Sequence, residues 1–191
     1  MEFFKDYIFK NFNEITEEDQ LLVLGWRNHE SIRKWMFNKE YIGLQEHQKF
    51  IQQLQSNFQK KYWLVIRKTN PIGVSSIVDI KKDSAEWGYY IAPEYHETSL
   101  GVEFYYFTLS YLFDFVKLKK IYGYELRNNQ GASSLNTLFG FTKQKDTKRV
   151  NDIYIEVNFR ELSSAVWNKI IKNDQRILRL LEFAINRPLL T

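Results

Sequence analysis

AEWGYYIAPEYHETSLGVEFYYFTLSYLF, residues 85–113, decides how this chain folds. Glu86 to Ile91 is an aromatic, β-branched-rich run of strand character, and Pro93 ends it. A short turn around Thr98 to Gly101 then leads into a long amphipathic helical pattern. A strand, a phosphate-sized loop and a helix N-terminus in that order point several backbone N–H groups and the positive end of a helix dipole into one concavity. Such a concavity suits a pyrophosphate, so a nucleotide-containing cofactor is the first expectation.

Working outward, an opening strand is expected over Phe3 to Phe12. Thr16 then caps a helix whose first turn carries Glu17, Glu18 and Asp19, with Leu21, Leu22, Leu24 and Trp26 as its apolar face. A second helical piece is read over Ser31 to Phe37. A third begins near Leu44 and carries His47, Phe50, Ile51 and Leu54 at three- and four-residue spacing. From Tyr62 the period becomes strand-like: YWLVIRK, IGVSSIVDI and AEWGYYI read as three consecutive antiparallel strands. The helix from about Val102 to Phe115 follows, then strand KIYGYEL, a short helix near Asn129, and strands around Phe141 and at DIYIEVNF. Alternation of this kind defines an α+β class, a mixed sheet covered by helices. Residues 161–191, with Trp167, Ile170, Ile171, Ile177, Leu178, Leu181 and Ile185, read as a helical extension; a subunit contact, as in a homodimer, is its alternative use.

The 191 residues suffice for one domain, placed at 1–160, plus that extension at 161–191. With 15 Phe, 12 Tyr and 5 Trp the composition is that of a folded, aromatic-rich protein. The absence of Cys excludes disulfides, thiolate metal sites and a cysteine nucleophile, and no metal is expected. The start, MEFFKDYIFKNF, lacks the pattern of a secretory signal, and Phe104 to Val116 is too short to cross a bilayer. A cytoplasmic protein without membrane attachment is therefore expected. A net charge of +4 suits anionic partners without choosing among them.

Taken together, EWGYYIAP, the loop HETSLG, the helix ending YLFDFVKLKKIYGYEL and the block NNQGASSLNTLFGF resemble the GNAT superfamily of N-acetyltransferases. Where that family's loop usually reads Q/R-x-x-G-x-G/A, this chain has His96, Ser99 and Gly101, and only Gly101 matches. The order of strand, loop, helix, strand, Asn and Gly-Phe carries the resemblance. LGWRNHESIRKWMF followed by IGLQEHQKF further resembles the N-terminal part of PseH-like enzymes, which acetylate the 4-amino group of a UDP-linked amino sugar on the route to pseudaminic acid.

The resemblance implies the GNAT acyl-CoA N-acyltransferase fold, its mixed, mostly antiparallel sheet covered by helices on both faces, with acetyl-CoA as cofactor and a nucleotide-sugar as the small-molecule substrate. The cofactor would be held by Tyr90, Ile91 and Ala92 along the pantetheine, by His96, Glu97, Thr98, Ser99, Leu100, Gly101 and Val102 at the pyrophosphate, and by Asn129 and Asn136. The substrate would be met by Arg27, Met36, Phe37, His47, Phe50 and Tyr89: Arg forks onto phosphate, Phe lies against uracil, and Met adapts to a deoxysugar methyl. Trp26 and Trp35 are assigned to the core.

Acetyl transfer to an amine needs a proton acceptor for the amine and a proton for the departing thiolate. Glu86, Glu125 and His47 are the candidate acceptors. The family places a Tyr seven residues beyond the Asn as thiolate proton donor; here that catalytic position is Asn136, which can donate a hydrogen bond but cannot release a proton at useful pH. The plain structural readings are an exposed strand acid for Glu86, a satisfied histidine for His47, a helix cap for Asn129 and an ion pair with an early-helix acid for Arg27. Two rival functions are an acetyltransferase of a protein N-terminus, aminoacyl group or small amine, and a non-catalytic nucleotide or nucleic-acid binding module. The module would use Lys117, Lys119, Lys120, Lys143, Lys145, Lys148 and Arg149, a run read here as solvated surface with no nucleic-acid partner.

Overall fold

A computed structural model describes residues 5–187. The elements run β1 (Tyr7–Asn11), α1 (Glu17–Asn28), α2 (Glu30–Arg33), α3 (Leu44–Leu54), β2 (Lys61–Arg67), β3 (Asn70–Val78), β4 (Ser84–Ile91), α4 (Leu100–Ser110), β5 (Lys120–Leu126), α5 (Gln130–Leu138), β6 (Gln144–Val150), β7 (Ile153–Ser163), α6 (Ser164–Lys169) and α7 (Gln175–Ile185). The strand order is β1-β2-β3-β4-β5-β7-β6. β1/β2, β2/β3, β5/β7 and β6/β7 pair antiparallel and β4/β5 pair parallel, so the sheet is mixed and the class α+β, as expected. The chain divides into two compact units, residues 5–80 with Trp87–Glu94, and Lys81–Glu86 with 95–187.

In the first unit, Thr16 starts α1 with a capping box: its Oγ1 accepts from Asp19 N at 3.1 Å and the Asp19 carboxylate accepts from Thr16 N at 3.0 Å. Asp19 also takes the Lys10 ammonium at 2.6 Å, which ties the helix start to β1. Trp63, Leu64, Val65, Ile72, Val74 and Ile77 from β2 and β3 form the buried centre, with Val23, Leu24 and Trp26 of α1 also buried.

In the second unit, α4 is buried almost all round, its Phe104, Tyr105, Phe107 and Leu109 shut away from solvent together with Glu103, Thr108 and Ser110, so it is a core helix and not the amphipathic one expected. Trp167 of α6 is fully buried, stacked 6.1 Å from Phe113 and tilted 5.4 Å from Tyr106. A Schellman turn ends α5: Phe141 N donates to Asn136 O at 2.9 Å, Gly140 N donates to Thr137 O at 3.2 Å, and Gly140 has φ +75°. The Gly-Phe pair read from the sequence is thus a helix stop.

Several expectations need correction. The second helical piece ends at Arg33, because Trp35 N and Met36 N turn back on the carbonyls of Ile32 and Arg33 and close a turn. The helix read to Phe115 is α-helical only to Ser110 and π-helical over Tyr111–Phe115. The strand placed around Phe141 begins at Gln144, since Phe141 is spent on the helix stop. Trp26 is core but Trp35 is half-buried beneath Lys34, 5.3 Å from its ring. In the C-terminal segment Ile170 is exposed, whereas Ala184 joins Ile177 and Leu181 in the buried stripe of α7. β7 carries sheet pairing to Ser163 before the helices start. The start of the expected opening strand at Phe3, and the ends of the expected domain and extension at 1–4 and 188–191, lie outside the described residues.

Candidate active site

All six residues expected at the substrate lie in the first unit. The WRNH segment explains itself there. Arg27 Nη2 donates to Asn38 O at 2.7 Å, and Asn28 both donates to Ile42 O and accepts from Ile42 N at 2.9 Å, so two neighbouring side chains at the end of α1 pin the loop 38–42. His29 then caps α2, its Nδ1 accepting from Ser31 N at 3.3 Å. Met36 and Phe37 are half-buried in the turn that follows α2.

The remainder of Arg27 is the informative part. Among the described residues it has no carboxylate partner, and its Nη1 is buried without a hydrogen bond, so the plain ion-pair reading fails. Burial lowers its pKa, partly opposed by the phenols of Tyr90 and Tyr62. Tyr90 donates to Val23 O at 3.4 Å and burial pushes its phenol up, so this side chain belongs with α1, whatever its backbone does for a cofactor. His47 is buried on α3; burial holds it below its usual pKa against an opposing hydrogen bond to the Gln20 backbone, and its Nε2 has no partner. Its ring lies 6.4 Å from Phe50, and Phe50 meets Tyr62 edge-on at 5.1 Å. His47, Phe50 and Tyr62 therefore form one ring cluster, and Arg27 feels the charge of the Tyr62 and Tyr90 phenols. Tyr89 points elsewhere, stacked 5.0 Å from Trp87. Tyr62 escapes sequence reading because it reads as an ordinary strand aromatic.

The cofactor residues divide between the units: Tyr90, Ile91 and Ala92 lie in the first, the loop from His96 to Val102 with Asn129 and Asn136 in the second. Ala92 N already donates to Ile72 O at 2.9 Å. In the loop, Thr98 Oγ1 donates to Tyr95 O at 2.7 Å and accepts from Leu100 N at 3.2 Å, while Val102 N donates to Ser99 O at 3.2 Å. Two of the loop amides are thus engaged internally. Glu97 takes a left-handed φ of 61°, and Ser99 precedes α4 without a side-chain cap.

Asn129 caps α5, accepting from Ala132 N at 3.1 Å. Asn136 is buried: its Nδ2 donates to Glu125 Oε2 at 2.7 Å and its Oδ1 accepts from the Tyr105 hydroxyl at 3.4 Å. Glu125 also accepts from Asn158 Nδ2 at 2.9 Å and from Arg160 Nη2 at 2.6 Å. Burial works to raise the Glu125 pKa, but the hydrogen bonds from Arg160, Asn136 and Asn158, with the Arg160 charge, outweigh it and hold the carboxyl below its usual value. A carboxylate so fully engaged is not a free proton acceptor, which removes Glu125 from the candidate bases. Glu86 is not a bare strand acid either: its Oε1 receives Lys148 Nζ at 2.6 Å. Arg160 and Asn158 escape sequence reading because a single strand pattern does not say where an inward polar side chain finds its partner.

Among the described residues no helix is long and apolar enough to cross a membrane. Within the basic run, Lys119 pairs with Asp83 at 3.1 Å and Lys120 with Glu161 at 3.4 Å. Their charge is spent on the protein's own acids, in keeping with a solvated face.

The model of the acetyltransferase (GNAT) domain matches residues 11–142, and the chain belongs to that family and is an acetyltransferase. It is 32% identical over 139 residues to the Acetyltransferase PseH of Campylobacter jejuni, a span of 73% of this chain and 87% of that one. The crystal structure of Campylobacter jejuni N-acetyltransferase PseH in complex with acetyl coenzyme A superimposes with a TM-score of 0.64 at 24% identity, covering 82% of this chain and 98% of that chain. The spermidine N-acetyltransferase from Vibrio cholerae, in complex with CoA and spermine, gives a TM-score of 0.75 at 19% identity, covering 86% and 99%. These two likenesses establish the fold.

Proposed function

We propose that this protein transfers the acetyl group of acetyl-CoA to the 4-amino group of a UDP-linked amino-deoxy sugar, in a route of the pseudaminic-acid type, by direct attack of the amine on the thioester. The observation that carries the substrate side is a pair of buried side-chain nitrogens without a hydrogen-bond partner, the donor Arg27 Nη1 and the His47 Nε2 of a neutral ring. A buried polar atom without a partner costs about 1–3 kcal/mol, so the two are best explained by a ligand that accepts from Arg27 and also bonds His47 Nε2. A diphosphate does so when the His47 ring takes up a proton on binding, and the Phe50 and Tyr62 rings offer apolar faces to a uracil. A polyamine would need the opposite charge, whereas the same segment carries Arg27, His29, Arg33 and Lys34.

On the reacting side the chain's own groups are few. The tetrahedral intermediate needs a backbone donor, for which the Tyr90–Ala92 segment is the candidate. Glu86, held by Lys148, is the carboxylate to test as acceptor of the amine proton through a water. Asn136 does not supply the thiolate proton: an amide has none to give, and both ends of this one are already bonded. We take residues 1–160 as the acetyltransferase domain and 161–191 as its helical extension, and place the enzyme in the cytoplasm.

Titration calorimetry with CoA, UDP, UMP and spermine tests the reading. CoA and UDP are expected to bind, UDP more tightly than UMP, and spermine not at all. CoA binding without any response to uridine nucleotides removes the nucleotide-sugar substrate; no response to CoA from folded protein removes the reaction.

A further inference from the structure

The buried network around Glu125 does something specific to one helix. Of the residues of α5, only Asn136 is buried; the others are half-buried or exposed. A nine-residue helix ordinarily docks through an apolar stripe. This one inserts a carboxamide instead, and the carboxamide lands on Glu125 of β5. A second tie runs from α5 through Ser133, whose Oγ accepts from Arg160 Nη2 at 2.7 Å, the same nitrogen that bonds Glu125 at 2.6 Å. Asn158, paired opposite Glu125 in the β5/β7 ladder, completes the set. The Arg160 and Glu125 side chains are only 3% and 4% exposed, so water competes little for these bonds. Each oxygen of Glu125 is used: Oε2 by the helix, Oε1 by the sheet.

We propose that Glu125 is a positioning residue: by accepting from Asn136, Asn158 and Arg160 at once, it clamps α5 to β5 and β7 and thereby sets where the helix start, capped by Asn129, stands for acetyl-CoA. The assignment of Asn129 to the cofactor rests on the function proposed above; the clamp itself does not. A neutral amide at this position cannot serve. The substitution Glu125→Gln would turn an NH2 toward at least one of three donors and leave the Arg160 charge buried without its counter-ion. The apolar contact between Tyr105 and Phe139, 5.2 Å apart, would keep the end of α5 in place while its start loosens.

The test compares wild type, Glu125→Gln and Ser133→Ala, the second variant cutting only the Arg160 tie on the helix and so serving if the first does not fold. CoA and UDP affinities are measured by calorimetry, and amide hydrogen exchange is followed by mass spectrometry. The expected result is a rise in the CoA dissociation constant of about tenfold for Glu125→Gln and about threefold for Ser133→Ala. UDP affinity should be unchanged within a factor of about two, and faster exchange should be confined to residues 129–138. With an amine acceptor in hand, KM for acetyl-CoA should rise while kcat holds. Unchanged CoA affinity and exchange in a folded variant overturns the proposal, as does a general loss of stability that weakens UDP and CoA alike. Wild-type protein that fails to bind CoA overturns the proposed function instead, and the exchange data then still judge the clamp.

Discussion

Lys148 of β6 places its ammonium 2.6 Å from Glu86 Oε1 and 4.2 Å from the centre of the Tyr124 ring. Glu86 is also the last residue of the parallel β4/β5 ladder, opposite Tyr122, so the ion pair stands where that ladder ends. Both side chains are about a quarter exposed, at 26% and 25%, which limits the pair's worth to stability to about 0.5 kcal/mol. Catalysis is where its removal should be felt.

Glu86→Gln should lower kcat by about a hundredfold, the usual range for loss of a positioned base, while leaving thermal stability nearly unchanged. Lys148→Met should cost less, and Lys148→Arg should restore most of the rate. Steady-state kinetics beside a denaturation curve decides the matter. Wild-type kcat in Glu86→Gln would show that the amine loses its proton elsewhere.

Asn136→Tyr restores the residue type that the wider family uses as an acid, yet it should not raise turnover. The position is buried between Glu125 and Tyr105, and a phenol there must displace both. Overpacking plus loss of a bond to a charged acceptor should destabilise the protein by about 2–4 kcal/mol, read from urea unfolding. A gain in kcat would mean that the helix reopens around the new side chain.

His47 should couple ligand binding to pH. Burial depresses its pKa in the fold, so the unfolded chain binds more protons below its ordinary value of about 6.5. The stability gained by keeping it neutral is present above that value and is lost as pH falls through the folded pKa. A diphosphate beside the ring reverses the preference, because it stabilises the imidazolium. UDP binding should therefore take up protons and tighten as pH falls from about 8 to about 6, and His47→Gln should flatten both profiles. Calorimetry in buffers of different ionisation enthalpy measures the uptake; none near neutral pH would place His47 away from the phosphates.

Gly140→Ala probes the helix stop. At φ +75° a Cβ is strained by roughly 1–2 kcal/mol, and it would meet Ile171 Cδ1 at 2.6 Å besides. Ile171→Val removes that atom and should relieve most of the clash, the γ carbon at 3.1 Å remaining, but not the backbone strain. Melting temperatures of the single and double variants separate the two; full recovery would show that the strain is negligible.

By itself the sequence determined what depends on near neighbours. Strand alternation marked KIYGYEL, which is β5 to the residue, and Thr16 with the acids behind it marked the start of α1. The Gly-Phe pair belonged to a local helix stop, and the order of these pieces was enough to identify the family. Tertiary structure decided whatever depends on partners far along the chain. Glu125 takes its hydrogen bonds from residues 11, 33 and 35 positions away, and Glu86 meets Lys148 62 positions on. A carboxylate that reads as a free base in a strand pattern becomes a clamp or an ion pair only when packing brings its donors. The physical reason is one of range: backbone propensity and side-chain period act over a few residues, whereas the charge state and duty of a buried acid are fixed by whichever donors share its low-dielectric surroundings.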